Sequence, residues 1–383
     1  MWDSTTVPEN LVFPHLRAQS FFTQAELDRA ANYDVVVHLL AVWADVVLVG
    51  VLVLYARRGA RLVRESAAGR IGTGFLLGML GFALVWIAQL PFGLAELWWA
   101  RDHHLSNVGY VEYAIGSWLA LGGQFLFICL AILIVMGLAG VTRRLWWIAA
   151  APVFVALSGV LTFVSPYLLP NLRPLDVSAL AADAARYARV EGVHGVSVQV
   201  EDVHQLTTQP NAEATGLGPT KRVILWDTLL DSRFSRREVD AVLAHELGHL
   251  AHHHLWKRLG WSALFAFPFA LLVALATRRR GGMYEPTAVP VALLVFVAVH
   301  LALLPAQNAI SRHMEAEADW SSLQATRDPA ATRALFVELA RVSRADPRPY
   351  TFDKLFSADH PAILDRIGMV EAWQTWQARS GGR

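Results

Sequence analysis

The chain has 383 residues, 55% of them hydrophobic and 17% charged, with a net charge of +1. That composition is too apolar for an ordinary soluble domain, and the balanced charge with no dense basic stripe argues against a nucleic-acid partner. The single cysteine, Cys129, lies inside an apolar run, which excludes an intramolecular disulfide and leaves it a packing residue.

After about 34 mixed residues without a cleavable signal pattern, nearly uncharged runs follow at Val35–Tyr55, Ile71–Trp98, Ile115–Leu138, Leu145–Leu168, Trp261–Ala276 and Val289–Leu304. A helix needs about 20 apolar residues to cross a hydrocarbon core of about 30 Å, so these predict about six spans, the first one retained. The fifth and sixth runs are shorter, which predicts tilted or partly re-entrant elements. Trp98, Trp99, Trp146, Trp147 and Trp261 mark run ends, as interfacial aromatics do. His38, Asp45 and His300 interrupt apolar runs and are either water-facing or paired inside the protein.

Between the fourth and fifth runs lies a polar insert. Asp176–Val190 has the spacing of an amphipathic helix, Val196–Val200 alternates like a strand, and Arg222–Trp226 is a β-branched run after the turn-rich Gly216-Leu-Gly-Pro219. Ser235-Arg-Arg-Glu238 has the form of a capping box, and Val239, Val242, Leu243, Leu247 and Leu250 give the helix after it an apolar face. That helix carries His245-Glu246-Leu-Gly-His249. Four-residue spacing puts both imidazoles on one face, one turn apart, where both can ligate a single zinc ion with Glu246 beside it as general base. A polar surface helix is the alternative, but the cap and the apolar stripe place these residues mid-helix. His252, His253 and His254 follow and read as a solvated run near the membrane surface.

A catalytic zinc keeps three protein ligands and an open position. After the sixth run, Ser311-Arg312-His313-Met314-Glu315-Ala316-Glu317-Ala318-Asp319 offers the third. Glu315 is assigned to the metal, and Asp319, one turn on, to the far nitrogen of a ligating histidine, whose tautomer it would fix. Glu317 points to another side of the helix and is the weaker candidate. The two halves of the site flank the fifth and sixth spans, which must form a hairpin, so the metal belongs at or near the membrane face.

These residues resemble the integral-membrane zinc peptidases that include the type 1 CAAX prenyl proteases and the HtpX-like proteases. The resemblance covers most of the chain: the metal helix with His245, Glu246 and His249, the ligand helix from Ser311-Arg312 through Glu315 and Asp319, a later His360-Pro361 element with Arg366, and Asn211-Ala212 upstream of Lys221–Leu230. The polar Gln89–Arg101 stretch looks more like the CAAX-protease type.

The resemblance implies a mainly α fold, a multi-span bundle with a membrane-proximal gluzincin-like zinc peptidase domain containing a small β-sheet. It implies one Zn2+ per chain, His360 as hydrogen-bond donor to the developing oxyanion, Asp319 and Arg366 in the shell behind the metal ligands, and Asn211 and Ala212 as substrate-binding residues at an edge strand. The expected divisions are an N-terminal segment 1–34, four membrane helices 35–168, a first peptidase part 169–260, a membrane hairpin 261–305 and a second peptidase part 306–383. A peptide or membrane-protein substrate and the lipid bilayer are the expected partners, with a bacterial cell membrane the expected location. Cleavage after a lipidated cysteine is implied by the resemblance alone. The other reading is a catalytically retired zinc-binding membrane scaffold, which the presence of Glu246 argues against.

Orientation has two opposed indications. Arg57, Arg58, Arg61, Arg64 and Arg70, Arg143 and Arg144, and Arg278–Arg280 fall on one predicted side, which the positive-inside rule makes cytoplasmic. The resemblance puts the catalytic segments, on the other side, in the cytoplasm instead.

Overall fold

The computed structural model describes residues 7–8, 11–61, 68–169 and 171–380, with the backbone alone at 60, 120–129 and 380. Arg64 and the side chain of Cys129 lie outside the described residues. In chain order the elements are α1 (Gln24–Arg58), α2 (Gly69–Asp102), α3 (Tyr110–Thr142), α4 (Trp146–Val164), β1 (Leu172–Pro174), α5 (Ser178–Val190), β2 (Ser197–Glu201), β3 (Ala212–Thr215) and β4 (Arg222–Trp226). There follow α6 (Arg236–Ala251), α7 (His254–Thr277), α8 (Val289–Thr326), α9 (Pro329–Ser343), α10 (Thr351–Phe356) and α11 (Ile363–Ser380).

The long helices α1 to α4, α7 and α8 form the bundle. Among the described residues, five stretches are long and apolar enough to cross a membrane: Gln24–Arg58, Gly69–Asp102, Leu130–Tyr167, His254–Arg280 and Pro286–Thr326. The bundle has its own core, in which Tyr55, Leu77, Met136, Ala150 and Val289 are buried. Trp146 is buried there too, packed into the helix core. His38 pairs with Asp353 at 3.4 Å, while Asp45 and His300 are exposed.

The fifth and sixth runs are not short elements. α7 has 24 residues and α8 has 38, because the polar residues flanking each apolar run continue the same helix. At 1.5 Å per residue α8 is roughly 57 Å long, and one unbroken helix carries both lipid-facing residues and Glu315. Arginines of the distal loops gather at one end of the bundle, where Arg280 bonds the Ala56 carbonyl at 3.1 Å and Arg70 pairs with Glu285 at 3.1 Å.

Beyond the bundle lies the half that holds the sheet. Its sheet has the order β1-β2-β4-β3, with β2 and β4 parallel and both outer pairs antiparallel. Val223, Ile224 and Leu225 of the inner strand β4 are fully buried, and β3 is an edge strand whose Ala212 pairs with Leu225. The α2–α3 connection is laced to the segment before β3: Ser106 bridges Thr207, Asn107 N–H donates to the Leu206 carbonyl at 3.0 Å, and the Thr207 hydroxyl donates to the Leu105 carbonyl at 3.1 Å.

The capping box at the start of α6 is formed, with Ser235 N–H donating to Glu238 Oε2 at 2.7 Å. Leu243 and Leu247 are fully buried against Leu323 of α8, with Phe336 of α9 and Ile367 and Val370 of α11 in the same core. Each such leucine contributes roughly 1.5–3 kcal/mol. Gly248 permits the close crossing of α6 and α8: a Cβ there would stand 3.1 Å from Ser321 Cβ and 3.3 Å from the Ala318 Cα. Gly248→Leu is therefore expected to force the helices apart, costing about 1–3 kcal/mol by overpacking. A thermal midpoint equal to wild type would show that the crossing tolerates the bulk.

Candidate metal centre

α6 holds His245 and His249 by its helical pitch, and α8 brings Glu315 across from them. His245 Nε2 lies 3.1 Å from His249 Nε2 and 3.1 Å from Glu315 Oε2, and His249 Nε2 lies 3.5 Å from Glu315 Oε1. Among the described residues these three form a cluster with all ligand atoms within 4.8 Å of one another. Donors about 2.1 Å from a tetrahedral zinc stand about 3.4 Å apart, so the arrangement fits that ion. All three residues are buried.

The electrostatics point the same way. Burial opposes a charge on His245, but its contacts with Asp319 and Glu315 outweigh it and push the ring's pKa up to about 10. Buried carboxylates thus create a demand for positive charge where the metal would bind. Behind the ring, His245 Nδ1 lies 2.9 Å from Asp319 Oδ1, approaching off-axis and with no other partner. Asp319 in turn accepts two hydrogen bonds from Arg366, Nε at 2.8 Å and Nη2 at 2.6 Å, and the guanidinium stacks 4.2 Å over the Phe336 ring. Glu191, near His245, has both carboxylate oxygens buried without an aligned partner although Ser321 is close, and burial pushes its pKa up to about 8.

His360 and Glu246 complete the near surroundings. His360 Nε2 lies 3.3 Å from Glu315 Oε2, and its Nδ1 lies 2.8 Å from Asp359 Oδ1; that hydrogen bond holds the Asp359 carboxyl below its ordinary range. The ring is half exposed and so can meet a ligand. Glu246, on α6, is 7% exposed. Glu213 of β3 is exposed, and its carboxyl is held above its ordinary range by partial desolvation and then by the charges of Glu201 and Glu246. Asn211 is exposed at the start of β3, its carbonyl accepting from Trp226 N–H at 3.0 Å, and β3 packs against α6.

Several contacts were not visible in the sequence. His254 is not part of a solvated run, which corrects that expectation: it is 1% exposed. His253 takes φ 54° and ψ 37° between α6 and α7, and this left-handed residue turns the chain so that His254 folds back beneath His249. Their Nδ1 atoms are 2.7 Å apart. His254 Nε2 lies 2.8 Å from Glu317 Oε2, which also accepts from Lys257 Nζ at 2.9 Å. Glu317 is thus outside the triad and engaged behind it. Similarly, Arg312 donates to the carbonyls of Lys354 and Ala358, the latter at 2.7 Å, and Asn308 donates to the Leu355 carbonyl at 3.0 Å. These bonds staple the loop bearing His360 to α8. Arg312 stood within the quoted motif, but only the position of α10 reveals its use.

Comparison with known proteins gives four findings. The sequence profile described as Peptidase family M48 matches residues 175–374. The chain is 24% identical to the "Uncharacterized metalloprotease YhfN" of Bacillus subtilis over 315 residues, 79% of this chain and 73% of that one. It is 32% identical to "CAAX prenyl protease 1" of Saccharomyces cerevisiae over 152 residues, but that match spans 39% of this chain and 32% of the yeast protein. The crystal structure of S. mikatae Ste24p superposes with a TM-score of 0.78 over 95% of this chain and 92% of its own, at 16% identity, which establishes a shared fold.

Removing Arg366 would break a buried ion pair and leave Asp319 with only the His245 ring, a loss of about 3–5 kcal/mol. Arg366→Ala is expected to lower the thermal midpoint and to weaken metal binding roughly 10–100-fold in chelator competition. Unchanged metal affinity would show that Asp319 holds His245 without help.

Proposed function

Because the chain belongs to peptidase family M48 and is a multi-pass membrane metalloprotease, we propose that it is a zinc-dependent endopeptidase acting on membrane-associated or membrane-delivered peptides. The observation that carries this is the convergence of His245, His249 and Glu315 from two helices on one point, with Glu246 beside it.

Zinc held by these three residues would polarise a water molecule and the scissile carbonyl. Glu246 accepts the proton of that water and passes it to the leaving amine. His360 donates a hydrogen bond to the oxyanion that develops at the scissile carbon, and Pro361 restricts the backbone that presents it. Asp319 with Arg366 keeps His245 in register. An extended substrate adds to the free edge of β3, with the Asn211 side-chain amide bonding its backbone. The polar connection between α2 and α3, laced to the chain before β3, fixes that edge relative to the bundle. The retired-scaffold reading has no observation in its favour, since a site that only binds zinc has no use for Glu246 next to it.

Glu246→Gln is expected to keep its zinc, measured by metal analysis of the purified chain, while cleavage of a peptide library falls roughly 10²–10⁴-fold. Cleavage that persists rejects Glu246 as the base. His360→Ala should lower turnover roughly 10²-fold at unchanged zinc content. A wild-type rate in that variant leaves His360 without a catalytic role.

A further inference from the structure

We propose that the buried pair His254 and Glu317, with half-exposed Lys257 at its outer end, forms a relay that positions His249 for the metal by fixing its tautomer. This rests on the zinc reading of the site, but it concerns residues outside the ligand set.

Each link has one chemically consistent arrangement. The 2.7 Å separation of His249 Nδ1 and His254 Nδ1 must contain one proton, because two lone pairs or two N–H groups at that distance repel. His249 can offer Nε2 to a metal only if its own proton is on Nδ1, so His249 Nδ1–H donates and His254 Nδ1 accepts. His254 then carries its proton on Nε2, where Glu317 Oε2 accepts it at 2.8 Å. Glu317 has no proton to give back, and Lys257 Nζ at 2.9 Å balances its charge. The direction of every hydrogen bond is thus set from the Lys257 end. The reverse arrangement, with the proton on His249 Nε2, would turn a donor toward His245 and Glu315.

Burial makes this setting rigid. His254 and Glu317 are each 1% exposed, so water does not replace either partner. The rings of His249 and His254 meet edge to face at 4.9 Å, and His252 stacks on His254 at 5.7 Å, which blocks ring flips. Asp319 and Arg366 stand behind His245 in the equivalent place. The two histidines of the metal helix therefore have separate anchors of different chemistry, a carboxylate for one and a neutral imidazole for the other. A neutral acceptor pulls less on the His249 proton than a carboxylate does, so His249 is the weaker electron donor of the two.

The experiment uses the purified full chain and Zn2+ alone, measured by chelator competition, with the absorption spectrum of the Co2+-loaded protein as a second readout. His254→Leu keeps the volume but removes the acceptor, and is expected to weaken zinc roughly 10–100-fold and to shift the cobalt bands. His254→Asn places a carbonyl oxygen near the Nδ1 position and should recover most of the affinity, a rescue that a mere packing role would not give. Should His254→Leu fail to fold, Glu317→Leu removes the far anchor and should weaken zinc in the same direction. Wild-type affinity and spectrum in the folded leucine variants overturn the relay, as does His254→Asn binding no better than His254→Leu. Wild-type protein that binds no zinc, or Glu315→Ala that binds it fully, would instead overturn the ligand assignment.

Discussion

The close crossing of α6 and α8 governs everything else in the peptidase half. Gly248 lets the two helix backbones come close, and the crossing sets two imidazoles and a carboxylate within reach of one ion. The surrounding core of Leu243, Leu247, Leu323 and Phe336 supplies the apolar burial that holds the crossing together. That burial also raises the stakes of each polar group inside it, because an unpaired buried charge costs several kcal/mol. Hence the carboxylates of α8 each have a partner: Glu315 the two imidazoles, Asp319 the fork of Arg366, Glu317 the pair His254 and Lys257.

What was legible in the sequence was local in origin. The cap at Ser235 and the spacing of His245 and His249 are set within one or two turns of helix, so periodicity finds them. The apolar runs announce the bundle for the same reason, since a bilayer demands length and composition alone. Run length misjudged α7 and α8 because a helix does not stop where its apolar residues stop: Gln307 through Thr326 continue α8 without a break. The pairing of Glu315 with His245 was inferred from the ligand count that zinc requires, and the crossing of α6 and α8 places those atoms 3.1 Å apart.

What was illegible depended on contacts distant in sequence or on a single backbone angle. His254 looked like one of three solvated histidines. Its burial follows from His253 adopting a left-handed conformation, which costs a residue with a side chain roughly 1–2 kcal/mol, and from Glu317, 63 positions away. The use of Arg312 depends on where α10 docks, 42 and 46 residues on.

The turn at His252 and His253 also limits where catalysis can take place. Only those two residues separate α6 from α7, and Glu315 rides on a helix that runs directly out of the bundle. The donor cluster is therefore held at a fixed distance from the helical bundle, with no linker between α6 and α7 long enough to let it swing free. Whatever reaches those donor atoms has to come to the end of the bundle, because the donors cannot move out to meet it.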